Sequence, residues 1–223
     1  MNNSLLLSHY FIKYKRLFSN EIFISRKTFL ENKDSCSVAE KRALIQYECI
    51  INNCSECRSS DSKIDFFFGS GDPNADLLIV DEAPVMEIDS KGLSFLGKAG
   101  KLLDKILFAI GLNRSKNVFI VNILKCRPTK NRDPLPSEIE KYIPYLQKQI
   151  KLIQPKLIVA LGKVAGKSLI GKDISINEMR DTTFNYHEIP LRITYHPEAL
   201  LKNQNLKKLA WDDFKWIKNH MGI

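Results

Sequence analysis

A few short segments of this chain carry residue types suited to chemistry on a heterocyclic base. In Val118-Phe119-Ile120-Val121-Asn122-Ile123-Leu124-Lys125-Cys126-Arg127-Pro128-Thr129-Lys130-Asn131-Arg132-Asp133-Pro134 an apolar strand runs into two amides, a thiol and four cations. A buried Asn122 can read a heterocycle edge with one donor and one acceptor. Prolines 128 and 134 hold the loop open, while Lys125, Arg127, Lys130 and Arg132 give it the charge to meet phosphates. Earlier in the chain the acidic turn Asp81-Glu82-Ala83-Pro84-Val85 is followed by Glu87, Asp89 and the small-residue loop Gly92-Leu93-Ser94-Phe95-Leu96-Gly97. Phe95 can stack on a planar base; an isolated Phe is more often a core residue, and the flanking glycines reduce that preference. His196-Pro197 reads equally as a satisfied turn or as a site histidine. Cys54-x-x-Cys57 has a spacing used for metals and clusters.

The elements that must position these residues follow from hydrophobic periodicity. Leu6, Tyr10, Phe11, Tyr14 and Phe18 predict an amphipathic helix over 4–18. Ser37 and Glu40 form a capping-box pattern opening a second helix through about Ile51, which delivers the chain to Cys54 and Cys57. Strands are then expected at Leu77 to Val80, Val118 to Val121, Leu157 to Leu161 and Leu191 to Thr194. Between them fall a helix from Ala99 to Ile110 closed by Gly111, a helix from about Ser137 with Glu140 completing its capping box, and a short helix after Gly162. A last amphipathic helix carries Leu206, Leu209, Phe214 and Ile217. Short apolar strands alternating with helices predict an α/β fold with a mostly parallel sheet covered on both faces. Asp81-Glu82, Asn122, Gly162 and His196 all follow strand ends, where ligands gather in open α/β sheets.

At 223 residues the chain can bury the core of one α/β domain, with an N-terminal helical extension (1–50) ahead of the domain at 51–223. The longest apolar runs, such as Leu157 to Leu161, fall far short of a membrane span. Leu5-Leu6-Leu7 is followed by Lys13, Lys15 and Arg16 without a small-residue cleavage pattern, so a cytoplasmic, monomeric protein is expected. Five cysteines in that compartment argue against a disulfide framework. The net charge of +9 favours a polyanionic partner, although a solvated lysine-rich surface would account for charge alone equally well.

Taken as an ordered set, Cys54-x-x-Cys57, Glu82-Ala83-Pro84, Gly92-x-x-Phe95-x-Gly97-x-Ala99-Gly100, Asn122-x-x-Lys125-Cys126-Arg127-Pro128-x-x-Asn131-Arg132, Ala160-Leu161-Gly162 and Thr194-Tyr195-His196-Pro197 resemble family 4 uracil-DNA glycosylases over roughly residues 50 to 220. The resemblance implies the three-layer α/β/α fold of that superfamily and hydrolysis of the N-glycosidic bond of deoxyuridine in DNA. It places Phe95 as the stacking aromatic, Asn122 as the uracil-reading amide and His196 opposite the uracil O2. Glu82 and Ala83 fall in the substrate turn. By the same resemblance Asn131 would order the active-site loop, and Lys125, Arg127 and Arg132 would serve DNA-backbone contacts or loop packing. An extruded base needs a stacking face and an edge reader, and a departing uracil anion needs donors on its developing charge.

Four departures accompany the resemblance. The family's turn reads Gly-Glu-Ala-Pro-Gly, where this chain has Asp81 and Val85 at the two glycine positions. An acidic pair downstream is Ile88-Asp89 here, which leaves Asp89 as the carboxylate to place water or stabilise the sugar cation. The family's [4Fe-4S] cluster is held by four cysteines, matched by Cys54, Cys57 and Cys126, with Tyr142 at the fourth position. A cluster with one non-cysteine ligand, rescue by Cys49 or Cys36, and no cluster are the open outcomes; a three-cysteine, one-histidine zinc site fits less well, because no histidine is near in sequence. Two other readings stand beside the enzyme: a degenerate member that binds DNA without turnover, and a nucleotide-binding α/β domain with no DNA role, which the basic loop argues against.

Overall fold

The computed structural model describes residues 35–52, 67–84, 97–125 and 132–223, with side chains described from 43 to 51 in the first of these segments. Strands β2 (Leu77–Asp81), β3 (Val118–Asn122) and β4 (Leu157–Leu161) are buried along their whole length, as apolar runs in a two-sided sheet must be. With β6 (Ile189–Thr194) they form a parallel core in the order β3-β2-β4-β6. Two short antiparallel strands, β1 (Ser70–Gly71) on β3 and β5 (Phe184–Tyr186) on β6, close the edges. Sequence periodicity did not predict either one. β1 is two residues of Ser-Gly, and Gly71 is required there: at φ +136 a Cβ would lie 2.2 Å from the Val118 carbonyl oxygen.

Alternate strand residues face two helical layers. Leu78, Val80, Val121, Ile158, Ala160 and Ile193 pack with α1 (Ser35–Asn52), α3 (Pro136–Ile153), α4 (Gly162–Ile170) and α5 (Ile176–Arg180). Leu77, Ile79, Ile120, Leu157 and Val159 pack on the opposite face with α2 (Lys98–Ala109) and α7 (Leu206–Met221). A last short helix, α6 (Pro197–Lys202), bears on α2 and α7. The result is the three-layer α/β/α arrangement with a mostly parallel sheet. No helix among the described residues is long and apolar enough to cross a membrane.

Helix boundaries fall close to expectation, with local corrections. The helix expected from Ser37 begins at Ser35, and the side chains of Ser37 and Glu40 lie outside the described residues. Helix α3 begins at Pro136, near Ser137 as expected, but Glu138 rather than Glu140 reaches back, accepting the Leu135 N–H at 2.8 Å. A proline at the first helical position explains this start, since it needs no N–H partner. On α7 the inward stripe is Ala210, Asp213, Phe214 and Ile217, while Leu209 is exposed. The predicted helix over 4–18 lies outside the described residues, and the expected domain boundary between 50 and 51 falls inside α1. Leu44 and Ile51 of α1 nevertheless pack in the same core as the sheet.

Candidate active site

Parallel pairing sets Asp81 opposite Asn122 at the carboxyl ends of β2 and β3. In-register neighbours point to the same side about 4.8 Å apart, so carboxylate and amide line one pocket wall. The chain beyond is zipped: the Ile123 N–H donates to the Asp81 carbonyl at 2.8 Å and the Leu124 N–H to the Glu82 carbonyl at 3.0 Å. Asn122 is wholly buried, and neither its Oδ1 nor its Nδ2 has a hydrogen-bond partner among the described residues. Buried polar groups are almost always paired, so an amide with both ends unused marks a place for a ligand's polar edge.

Lys125 does not reach for phosphate. Its ammonium is fully buried and donates to the Asn122 carbonyl at 2.9 Å and to Gln149 Oε1 at 2.6 Å, while Gln149 Nε2 donates to the Phe68 carbonyl at 2.7 Å. A buried cation held by two acceptors ties the loop after β3 to α3 and to the segment before β1. Arg132 likewise packs the loop. Its guanidinium grips Glu138 in a bidentate pair at 2.8 and 2.7 Å, which lowers the Glu138 carboxyl to about 2. Of the four loop cations, the described Lys125 and Arg132 are therefore structural.

His196 arrives from the end of β6 and caps α6, its Nδ1 accepting the Glu198 N–H at 3.1 Å. That bond leaves Nε2 to carry the proton in the neutral ring. Nε2 stands 3.0 Å from Asp81 Oδ1, close but out of line for a well-formed hydrogen bond. Burial opposes the imidazolium, but Asp81 in contact with it, with Glu198 and Glu82 further off, outweighs burial and raises the pKa. With the folded pKa the higher, this pair's contribution to stability is full below the unfolded histidine value and fades as pH rises through the folded one. Gly162 permits the approach of the β4 and β6 ends: at φ +84, a Cβ there would lie 3.1 Å from the His196 Cβ.

Behind His196 lies a buried ionic cluster. Asp213 of α7 accepts from Thr194 Oγ1 at 2.7 Å and from Arg180 Nε and Nη2 at 3.1 Å, with Arg192 Nη2 at 3.5 Å. Arg180 also lies 5.2 Å over the Tyr195 ring, so both residues preceding His196 are clamped. Sequence reasoning missed this cluster. Its signal was an aspartate on the apolar face of α7, at the spacing of Ala210, Phe214 and Ile217.

Among the expected site residues, Asn122 and His196 both neighbour Asp81 at the carboxyl end of the sheet, Asn122 by strand register and His196 by side-chain contact, and Glu82 and Ala83 follow β2 there, both half-buried. Asp89, Phe95, Asn131, Cys54, Cys57 and Cys126, with the substituted Val85 and Ile88, lie outside the described residues. Tyr142 is described and does not suit a cluster ligand. Its ring is 8 % exposed, packed in the core with Leu44, Ile51 and Leu146, and a phenol is no substitute for a thiolate. Among the described residues, no three His, Cys, Asp or Glu side chains gather as a metal site.

Comparison with known proteins agrees with this geometry. Residues 68–215 match the model of the uracil DNA glycosylase superfamily. The chain is 41% identical to the type-4 uracil-DNA glycosylase of Sulfurisphaera tokodaii over 175 residues, covering 74% of this chain and 79% of that protein. It is 36% identical to the enzyme of the same name from Archaeoglobus fulgidus, covering 75% and 87%, and 33% identical to that from Thermotoga maritima, covering 76% and 90%. On its sheet order, its strand-end residues and these matches, the chain belongs to the type-4 uracil-DNA glycosylases of the uracil DNA glycosylase superfamily.

Proposed function

We propose that this protein removes uracil from DNA by hydrolysing the N-glycosidic bond of deoxyuridine, leaving an abasic site for base excision repair. The carrying observation is the buried Asn122 amide, unpartnered at both ends among the described residues, in register with Asp81, whose carboxylate contacts His196 Nε2. Uracil presents an imide N–H flanked by carbonyl oxygens: Asn122 Oδ1 accepts the N–H, Nδ2 donates to one carbonyl, and His196 Nε2–H serves the other. The C1′–N1 bond breaks with its electron pair passing to the base, so negative charge grows on the carbonyl oxygens and the donors tighten. Water then bonds to C1′, and the proton it gives up balances the uracil anion, which leaves as neutral uracil. In this reading Phe95 stacks on the base, Asp89 places the water or steadies the sugar cation, and Asn131 orders the loop. The net charge of +9 draws in DNA.

Abasic product is expected from single- and double-stranded oligonucleotides containing one uracil, read by alkaline strand cleavage, with His196→Ala as control. No product at any enzyme concentration, with salt-sensitive DNA binding retained, would establish instead a binder without turnover.

Cys54, Cys57 and Cys126 are included in the proposal as three thiolates of an iron–sulfur site, in which Tyr142 contributes packing and no ligand. No catalytic step depends on it. Anaerobically purified protein is expected to hold less iron than a complete cluster requires, and Tyr142→Cys to raise iron content and visible absorbance while costing roughly 3 kcal/mol of stability from the lost ring. Unchanged iron in Tyr142→Cys would refute this assignment of the three cysteines.

A further inference from the structure

We propose that Asp81 is a positioning residue that competes with the base: its carboxylate stands against the Nε2–H of His196 and contends with the base carbonyl oxygen for that proton. This rests on the uracil-excision reading above. The His196 ring has one proton to offer in its neutral form, because Nδ1 is committed as an acceptor to the Glu198 N–H. Asp81 Oδ1 stands 3.0 Å from the donating nitrogen, the carboxylate buried and the imidazole half-buried. The contact is misaligned, so a carbonyl oxygen entering in line with Nε2–H makes the better bond and displaces it.

The same carboxylate shares a wall with Asn122 through strand register. A fixed negative charge there opposes the charge that develops on the departing base, and low dielectric magnifies the opposition. No cation among the described groups offsets it. Facing His196 are Glu82 beyond β2, Glu198 on α6 and Gly162, which brings no side chain, while the Lys125 ammonium is spent on the Asn122 carbonyl and Gln149. The glycine of the family motif at position 81 offers no competing acceptor. Asp81 thus restrains this site in a way that the motif does not.

The test compares wild type with Asp81→Asn and Asp81→Gly, following uracil binding by the His196 ring-nitrogen resonances and cleavage by single-turnover kinetics on uracil-containing DNA. Both variants are expected to bind uracil about tenfold more tightly and to cleave about tenfold faster, the size of effect a single nearby charge produces in a half-buried site. His196 should titrate at lower pH in both, since the nearest favouring charge is gone. Equal or weaker uracil affinity in the variants, or a Nε2 resonance that uracil does not move in wild type, overturns the proposal. A slower rate with weaker binding also overturns it, by showing that Asp81 orients the ring for catalysis. Tighter uracil binding without abasic product from any of the proteins sustains this inference and sinks the excision reading; abundant product with unchanged affinity does the reverse.

Discussion

Asn122→Ala is expected to lower kcat/KM for uracil excision by about 10³-fold, the scale set by losing a preorganised donor together with an edge reader, and to leave thermal stability unchanged or slightly raised. The two halves have one physical cause. Most buried amides hold the fold together, so truncating them costs roughly 1–3 kcal/mol through the partners they abandon. Asn122 abandons none among the described residues, because Oδ1 and Nδ2 are both unpaired in a fully buried setting. Its backbone carries the structural duty instead, the carbonyl accepting from Lys125 Nζ, and alanine keeps that bond. The unpaired amide is a standing cost that substrate binding removes, as expected where function is kept at the expense of stability. A drop of several degrees in melting temperature would show the side chain to be structural, and near-normal kcat/KM would remove it from the site. Single-turnover kinetics and thermal denaturation on the same preparations decide both.

The parallel core was legible because β2, β3 and β4 are unbroken apolar runs and their connecting helices carry clear periodicity. The edge strands were not. Ser70-Gly71 has no pattern to read, and Phe184–Tyr186 is placed by antiparallel pairing with β6 rather than by its side chains. At the site, Asn122 and His196 stood out as polar residues at or just beyond the ends of apolar strands, and each proves to neighbour Asp81, one by strand register and the other by side-chain contact. Lys125 misled: its charge suggests phosphate, while its place, directly after the apolar pair Ile123-Leu124, put the ammonium in the core against Gln149. That partner lies on a helix 24 residues on, a distance local patterns do not span. Asp81 was visible only as a departure from a motif; its contact with His196 depends on how β2 and β6 lie in the sheet, which only the fold discloses.

Asp213→Ala is expected to be the most destabilising of the substitutions considered, by about 3–5 kcal/mol, because it leaves buried cations without their anion. One carboxylate serves Thr194, Arg180 and Arg192, and all four residues are buried. Arg180 keeps its bond to the Leu209 carbonyl at 2.7 Å, its place over Tyr195 and a longer ion pair with the exposed Asp181 at 3.5 Å, and Arg192 keeps its place over Trp216, 5.0 Å from the ring. A solvent-exposed carboxylate at that distance offsets the Arg180 charge only weakly, and the ring contact does not neutralise Arg192. For a protein of this size the loss corresponds to roughly 10 °C in melting temperature. Asp213→Asn, which retains an acceptor of the same shape, should fall between the two, and a shift below about 1 °C for Asp213→Ala would show the cluster to be energetically idle. The loss reaches the chemistry through the backbone. Thr194 ends β6 two residues before His196, and releasing its hydroxyl from α7 loosens the strand end that sets the imidazole against Asp81. Asp213→Asn, assayed well below its melting temperature, should therefore lower kcat more than it raises KM, because a ring displaced by a fraction of an ångström fails the transition state before it fails the ground state.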